Sequence, residues 1–318
     1  MAWTGHLWTV LPTLLQRVQP ATAPPTRPWS TRVSPEPGGQ GDSIRLTGKL
    51  REHPGADTLV LVVHGLGGGV DTHYCVRAAN VIDARGWSCL RLFLRGADRL
   101  GEDFYHAGLV ADLEAALRSP ELARYRRLFI LGYSLGGHVT LHAALEPVDP
   151  RLAAVAAVCA PLDLQRGAGA IDRRRATVYR RHVLAGLKEI YERVAARRPV
   201  PTPVERIRRV RTIREWDALT VVPRYGFASV EDYYERMSAG PRLGALRRPT
   251  LLVPSRHDPM VPAWTFEDHL AAASRHLTVH WVEGGGHVGY PPRIALEGQR
   301  VASIEAHILA WFASQEPG

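Results

Sequence analysis

The strongest constraint on the fold of this 318-residue chain is a repeated pairing of apolar runs with helix-like segments. Each run has the length and β-branched content of a buried strand, and each helix-like segment is long enough to return the chain to a parallel neighbour. The runs lie at 59 to 64, 87 to 94, 127 to 132 and 153 to 160, and the helical patterns at 73 to 85, 107 to 118 and 135 to 146. The sequence therefore predicts a mostly parallel α/β sheet flanked by helices.

The alternation is interrupted over residues 165–242, where no continuous apolar run occurs and arginines are set among helical stretches. It resumes with two strand-like runs and a closing amphipathic helix, at 249 to 255, 277 to 283 and Ile294 to Phe312. We therefore predict a core built from residues 42–164 and 243–318, with residues 165–242 inserted as a helical cap.

Residues 1–41 are predicted to form an N-terminal extension that packs on or near the core. The apolar stretch from Leu7 to Leu15 has no basic region before it and is broken by Pro12, so it is a poor secretory signal. It is also too short to span a membrane. From Pro20 to Gly41 the sequence is dense in Pro, Ser, Thr and Gly, which predicts an irregular path over the surface.

The composition excludes several classes of protein. Apolar residues make up 45% of the chain and charged residues 22%, which is typical of a globular rather than a disordered protein. The net charge of +9 is carried almost wholly by arginine, but no nucleic-acid-binding module accompanies it, so we predict no nucleic-acid partner. Cys75, Cys89 and Cys159 are odd in number and lack metal-ligand spacing, so neither a disulfide framework nor a metal site is predicted.

The pentapeptide from Gly132 to Gly136, Gly-Tyr-Ser-Leu-Gly, lies directly between a buried-strand pattern and a helical pattern. A serine at such a sharp turn has strained backbone angles and needs very small neighbours, which Gly132 and Gly136 provide. The turn also places Ser134 at the amino end of a helix, where developing negative charge is stabilised. A chance match to this short motif is the alternative, but its placement favours a nucleophilic serine supported by Tyr133 and the glycines.

A glycine-rich loop, His64 to Gly69, follows the first apolar strand. Acyl transfer creates an oxyanion that requires preorganised amide donors, and we expect these to be the backbone amides of Leu66 and Leu135. Gly65 would let the backbone approach a substrate closely. The loop could instead cradle phosphate, but neither the Lys-Ser/Thr ending of a P-loop nor GxGxxG spacing follows. His64, at the strand end, is predicted to be a structural hydrogen-bonding residue.

Activation of a serine hydroxyl needs a base, and the base needs an orienting carboxylate. Asp258 follows the strand-like run at 249 to 255, and His287 follows the next run after three glycines. The carboxyl ends of neighbouring parallel strands meet at one crevice, so these two side chains are predicted to converge on Ser134. Asp163 also follows a strand and is the rival acid, but a structural role at the base of the cap suits it better.

Together these motifs resemble the YheT-like branch of the α/β hydrolases, whose eukaryotic relatives are membrane-associated lipid esterases. The cap-region block, which contains Asp217 and ends in paired tyrosines, is the most specific. The chain departs from the usual pattern at Trp8, where Gln is usual, and at His138, where Asn is usual. The resemblance spans nearly the whole chain and is carried by HLWTVLP (6–12), HGLGGG (64–69), RGADRLGEDFYHAGLVADL (95–113), GYSLGGH (132–138), APLDL (160–164), TIREWDALTVVPRYGFASVEDYY (212–234), HDPMVP (257–262) and GGGHVGY (284–290).

The resemblance implies an α/β-hydrolase fold and a triad of Ser134, Asp258 and His287. It also implies cleavage of carboxylic esters with short or medium acyl chains, or of lipid-like esters, through an acyl-enzyme on Ser134. Acyl transfer or thioester cleavage would use the same triad, and a non-catalytic binding protein on this scaffold is a further alternative. No cofactor and no metal is expected.

A small-molecule or lipid-like ester is the expected partner, and a cytoplasmic location is expected. Peripheral membrane contact and the oligomeric state are left open. The arginines of the cap could attract anionic lipid, although a solvated helical face is the favoured interpretation of such charge runs.

Overall fold

The computed structural model describes residues 2–34, 43–296 and 298–315. The strands there are β1 (Arg27–Val33), β2 (Ile44–Arg51), β3 (Thr58–Val63), β4 (Ser88–Leu92), β5 (Arg127–Tyr133), β6 (Leu152–Val158), β7 (Thr250–Val253), β8 (Leu277–Val279), β9 (Ile294–Leu296) and β10 (Gln299–Val301). The α-helices are α1 (Ala2–Val18), α2 (His73–Ala84), α3 (Ala111–Leu117), α4 (Leu135–Leu145), α5 (Leu164–Ile171), α6 (Thr177–Ala195), α7 (Val204–Arg209), α8 (Ile213–Leu219), α9 (Val221–Tyr225), α10 (Val230–Met237) and α11 (Ile304–Ser314).

Strands β1 to β8 form one sheet in the order β1-β2-β4-β3-β5-β6-β7-β8. β2 runs antiparallel to both β1 and β4, and every neighbouring pair from β4 to β8 is parallel. The predicted α/β class, with a mostly parallel sheet flanked by helices, is confirmed. Parallel pairing places the carboxyl ends of β3, β5, β7 and β8 along one edge of the sheet, where the predicted site residues follow.

The central strands are continuously apolar because both faces of the sheet are covered. All six residues of β3 are buried. Leu61 packs in an apolar cluster that includes side chains of α6 and α8, whereas its neighbour Val62 packs in a second cluster with side chains of α2 and α11. Successive side chains of one strand therefore stabilise the two helical layers on opposite faces.

Two sequence expectations are wrong in the described residues. The segment from Pro20 to Gly41 was expected to be irregular, but residues 27–33 form β1, which pairs with β2 along its whole length. Ile294 to Phe312 was expected to be one helix, but it begins with the hairpin of β9 and β10 and only then enters α11. Gly298 between the two strands has a positive φ of 75°, which a helix does not accommodate.

Helices α5 to α10 all lie between β6 and β7. Side chains of α6 and α8 join the same apolar cluster as β3 and α4, so this helical segment packs on the core rather than standing apart from it. The residue boundaries of the predicted cap, 165–242, stay a prediction. Residues 35–41, part of the predicted extension, lie outside the described residues, as do Asp42, Glu297 and 316–318.

A buried charge network connects the core to these helices. The Arg95 side chain is fully buried and pairs with Asp112 of α3 at 2.6 Å and with Asp103 at 3.5 Å. Asp103 also accepts a hydrogen bond from Nε of Arg224 in α9, at 3.0 Å. Because two arginines share one aspartate, the loop after β4 and the helical segment are held by the same set of charges.

We expect Asp112→Ala to lower the free energy of unfolding by about 3–5 kcal/mol, because it leaves the Arg95 guanidinium buried without its main partner. Urea denaturation measures this loss. The exposed pair of Lys49 and Asp71 offers the control, and Lys49→Ala should change stability by less than about 1 kcal/mol. An Arg95→Met/Asp112→Leu variant should recover most of the loss, and a double variant no more stable than Asp112→Ala would contradict the explanation.

Candidate active site

Ser134 occupies the sharp turn between β5 and α4. Its backbone has φ 54° and ψ −122°, a conformation that L residues rarely adopt. A Cβ on Gly132 would collide with the carbonyl oxygen of Gly136, and a Cβ on Gly136 would collide with that of His64. The two glycines are therefore required because β5, α4 and the end of β3 approach one another at backbone distance.

Three predicted side chains meet at this turn. His287 Nε2 lies 2.8 Å from Ser134 Oγ, and His287 Nδ1 lies 2.8 Å from Asp258 Oδ2. The other carboxylate oxygen of Asp258 accepts hydrogen bonds from the amides of Met260 and Val261, at 2.8 and 2.9 Å. Asp258 and His287 are both buried, so the carboxylate is fixed by three polar contacts that solvent does not compete for.

Asp163, the rival acid, lies elsewhere. It begins α5, where its side chain accepts a hydrogen bond from the Arg166 amide at 2.8 Å, and it lies 3.5 Å from His269 Nε2. This is the geometry of a helix N-cap. Its surroundings give it a local structural role at the start of the helical segment.

The loop after β3 has most of its amides occupied. The Gly65 amide donates to the Tyr74 hydroxyl at 3.1 Å, and the Gly67 amide donates to the Tyr105 hydroxyl at 2.7 Å. In the described part of the chain, no hydrogen bond occupies the amide of Leu66 or that of Leu135, the first residue of α4. These two amides beside Ser134 are therefore available to a ligand.

His64 stabilises this loop through hydrogen bonds from its ring. Its Nε2 accepts a hydrogen bond from the Leu94 amide at 3.1 Å, so its Nδ1 carries the proton and donates to the Gly65 carbonyl at 2.8 Å. Burial lowers the pKa of His64 to about 4. The ring is thus neutral and stabilises the loop rather than exchanging protons.

The unusual His138 does not disturb the start of α4. Its amide donates to the Ser134 carbonyl at 3.0 Å, as a helix requires. Its ring lies between two carbonyl oxygens, those of Pro161 at 2.6 Å and Met237 at 2.7 Å. His138 therefore connects the turn to the end of α10.

A cavity of about 340 Å³ opens beside Ser134 and His287. Its wall is mostly apolar, and the helical segment contributes to it Leu164, Ile171, Val183, Leu187, Ile213, Trp216 and Val221. Apolar walls exclude water, which strengthens the electrostatic interactions available to an oxyanion. A cavity of this size holds a small or medium acyl or alkyl group.

A polar group interrupts the apolar wall. Asp217 of α8 lines the cavity, and its Oδ2 accepts a hydrogen bond from the Tyr234 hydroxyl at 2.7 Å. Burial raises the pKa of Asp217 to about 7. His106 lines the same wall, and burial lowers its pKa to about 3.

Sequence reasoning missed Cys159 and Thr9. The Cys159 thiol lies behind the triad. Its sulfur, a carboxylate oxygen of Asp258 and a ring nitrogen of His287 all lie within 4.8 Å of one another. Burial raises the pKa of the Cys159 thiol well above its ordinary value, so it stays protonated and is a poor metal ligand.

Thr9 Oγ1 in α1 accepts a hydrogen bond from the His287 amide at 2.8 Å. No local pattern marks Thr9, because its partner is 278 residues away.

A serine, a histidine and an aspartate in one hydrogen-bonded series, over the carboxyl edge of this sheet, define a hydrolase-type site. The model of the alpha/beta hydrolase family matches residues 59–295, so the chain belongs to that family. It is a YheT-like member. It is 29% identical to the Escherichia coli protein named "Putative esterase YheT", over 97% of this chain and 90% of that protein.

A second relative supports the same family, and one solved structure shares the fold. A Synechocystis sp. protein with the same esterase description is 33% identical over 50% of this chain and 48% of its own length. The solved structure of the Pyrococcus furiosus esterase Pf2001 has a TM-score of 0.53 and 15% identity, covering 91% of this chain and 90% of that one. These comparisons class the chain with the hydrolases. Among the described helices, none has the length and hydropathy needed to cross a membrane.

We expect Asp217→Asn to stabilise the protein increasingly as the pH rises. The variant keeps an acceptor for Tyr234 but cannot ionise. Because the folded-state pKa of Asp217 is raised from 3.8 to about 7, the wild-type protein loses stability between these two pH values, since the unfolded chain releases this proton while the folded protein keeps it. The difference in free energy of unfolding should grow by up to about 1.4 kcal/mol per pH unit across that range and then level off.

Urea denaturation over a pH series measures this difference. Glu235→Gln removes an exposed carboxyl of α10 in the same way and is the control variant. A pH-independent difference for Asp217→Asn would show that the aspartate is not buried as described.

Proposed function

We propose that this protein is a serine hydrolase that cleaves carboxylic esters through an acyl-enzyme on Ser134. The observation that carries the proposal is the unbroken series of hydrogen bonds from Asp258 through His287 to Ser134, both links being 2.8 Å. A serine hydroxyl is a weak nucleophile, and this arrangement is the one that activates it. The names of the curated relatives point to esters as the substrates.

In the proposed reaction, Ser134 Oγ attacks the ester carbonyl carbon while His287 Nε2 takes its proton. Asp258 holds Nδ1–H and stabilises the imidazolium that forms. The amides of Leu66 and Leu135 donate to the oxyanion of the tetrahedral intermediate. His287 then gives the proton to the leaving alcohol oxygen as the C–O bond breaks. Water attacks the acyl-enzyme by the same steps and releases the carboxylic acid.

The substrate proposed is an ester with a short or medium acyl chain, or a lipid-like ester. The apolar wall and the cavity volume of about 340 Å³ suit such a group better than a charged one. Residues 165–242 supply a large part of that wall, so we assign them the role of a cap that selects substrates by shape. Asp217 would favour an alcohol or acyl group that carries a hydrogen-bond donor.

Acyl transfer and thioester cleavage would use the same three side chains, and they differ only in the acceptor or the leaving atom. No feature of the described residues favours either over ester hydrolysis. A non-catalytic binding protein is disfavoured, since all three reactive groups are present and correctly spaced.

A fluorophosphonate probe tests the nucleophile. We expect the wild type to be labelled covalently and Ser134→Ala not to be labelled, because the probe reacts only with an activated serine. Ser30→Ala, at an exposed serine of β1, should be labelled like the wild type. A folded wild-type protein that resists labelling would favour the binding protein instead.

A second prediction concerns the base and the acid. We expect His287→Ala to reduce kcat on a p-nitrophenyl ester by at least about 1,000-fold, because the base is lost. Asp258→Asn should have a similarly large effect, while Asp163→Asn should keep kcat within about twofold, since it removes only part of a helix cap. Steady-state kinetics of the three variants check this. Activity that survives in Asp258→Asn but is lost in Asp163→Asn would reverse the assignment of the acid.

A further inference from the structure

Helix α1 carries an apolar stripe that faces solvent. The side chains of Trp3, Leu7, Val10, Leu14 and Val18 are spaced by three or four residues, which places them on one side of a helix. Their exposed fractions are 85%, 53%, 37%, 49% and 79%. A helix on the surface of a globular protein normally turns its apolar side inward, so this orientation is the reverse of the usual one.

The inward side of α1 fixes that orientation. Thr9 Oγ1 accepts the hydrogen bond from the His287 amide at 2.8 Å, and His6 Nδ1 lies 2.6 Å from the Tyr179 hydroxyl of α6. Gly286 packs so closely on α1 that a Cβ there would collide with the Gly5 carbonyl oxygen. Small and polar residues therefore attach α1 to both the catalytic loop and the helical segment, and the apolar stripe is left outside.

The same helix lines part of the cavity. Thr9, Thr13 and Gln16 line the cavity together with Ser134. On the α6 side, the exposed His182 also lines it. The solvent-facing stripe thus belongs to a helix whose other side lines the cavity.

Exposed basic and apolar side chains also occur on the helical segment and on the loop after β7. Val178, next to Tyr179, is 71% exposed, and Trp264 is 46% exposed with the Arg173 guanidinium 4.5 Å from its ring. Three further exposed arginines lie nearby along the chain: Arg174, Arg175 and Arg181. Within the described residues, none of these three side chains forms an ion pair with an acidic residue.

We propose that the outer stripe of α1 and these arginines form a docking surface for an anionic lipid bilayer. α1 would lie in the plane of the interface, with its apolar side chains among the acyl chains and the arginines at the headgroups. Charge complementarity selects this occupant, because unpaired cations next to exposed apolar residues match a surface that is anionic outside and apolar beneath. A second copy of the chain would bring two arginine clusters together, which like-charge repulsion opposes.

Docking in this way would present the cavity entrance to the bilayer, so that a lipid-like ester passes from the membrane to Ser134 without crossing water. This consequence rests on the proposed function, whereas the docking itself does not. Because α1 also bonds the His287 loop, a bilayer that orders α1 would hold the catalytic base in place.

Vesicle flotation of the full chain tests the proposal. The probes are vesicles of phosphatidylcholine alone and vesicles in which about one third is phosphatidylglycerol, a composition that supplies the anionic surface. We expect the wild type to float with the anionic vesicles and to bind them more weakly in high salt, since salt screens the headgroup charge.

Two variants address the two parts of the surface. Leu7→Gln/Leu14→Gln should weaken binding by at least about tenfold, because the apolar contact is lost. Arg174→Gln/Arg175→Gln/Arg181→Gln should weaken binding to anionic vesicles by about 100-fold. The matched control, Arg126→Gln/Arg206→Gln/Arg209→Gln, removes the same charge from other exposed positions and should stay within about threefold of the wild type.

A wild type that does not float with anionic vesicles would overturn the proposal, as would a control variant that loses as much binding as the arginine-cluster variant. A stripe variant that binds vesicles normally but turns a dimer into a monomer in sedimentation would assign the stripe to a second copy instead. The stripe, arginine-cluster and control variants should each hydrolyse a soluble p-nitrophenyl ester at the wild-type rate, which also shows that they are folded.

The same measurement separates the two proposals. If the wild type binds anionic vesicles but does not cleave the ester, the proposed function fails and the docking surface stands.

Discussion

The close approach of three backbones at Ser134 is the constraint on which the site depends. The end of β3, the last residues of β5 and the first turn of α4 meet there, and only glycine at 132 and 136 permits the contact. The positive φ of Ser134 costs about 1–3 kcal/mol, which the buried strand and helix on either side can offset. In return the hydroxyl is held in one position, next to two amides that no other group in the described chain uses.

The remaining polar groups of the site come from distant parts of the chain. Asp258 follows β7, His287 follows β8, and the loop of His287 is supported by Thr9 from the other end of the sequence. The parallel sheet brings the first two together, whereas the contact with α1 depends on how the N-terminal helix packs. The loop of His287 is consequently held by the same helix that we propose as a membrane contact.

The cavity combines an apolar wall with a small number of buried polar groups. The apolar side chains of α5, α6 and α8 exclude water from Ser134, and Asp217 with Tyr234 adds one acceptor that can discriminate between substrates. The charges that hold this helical segment to the core lie elsewhere, in the buried network of Arg95, Asp103 and Asp112. Attachment of the segment to the core and the proposed selection of substrates therefore depend on different residues.

Local pattern was sufficient to predict the parallel sheet and the convergence of Ser134, Asp258 and His287. A strand buried on both faces is continuously apolar, as in β3, and the turn at Ser134 needs glycines that are visible in the sequence. The sequence did not show which strands pair with each other or which side of a helix packs on the core. β1 has a sequence that resembles a loop and becomes a strand only because β2 pairs with it, and the apolar pattern at 294 to 312 is divided by a hairpin at Gly298. Thr9, Cys159 and the outward orientation of the α1 stripe depend on contacts across most of the chain, which only the folded arrangement decides, because such contacts leave no periodic signal in the residues around them.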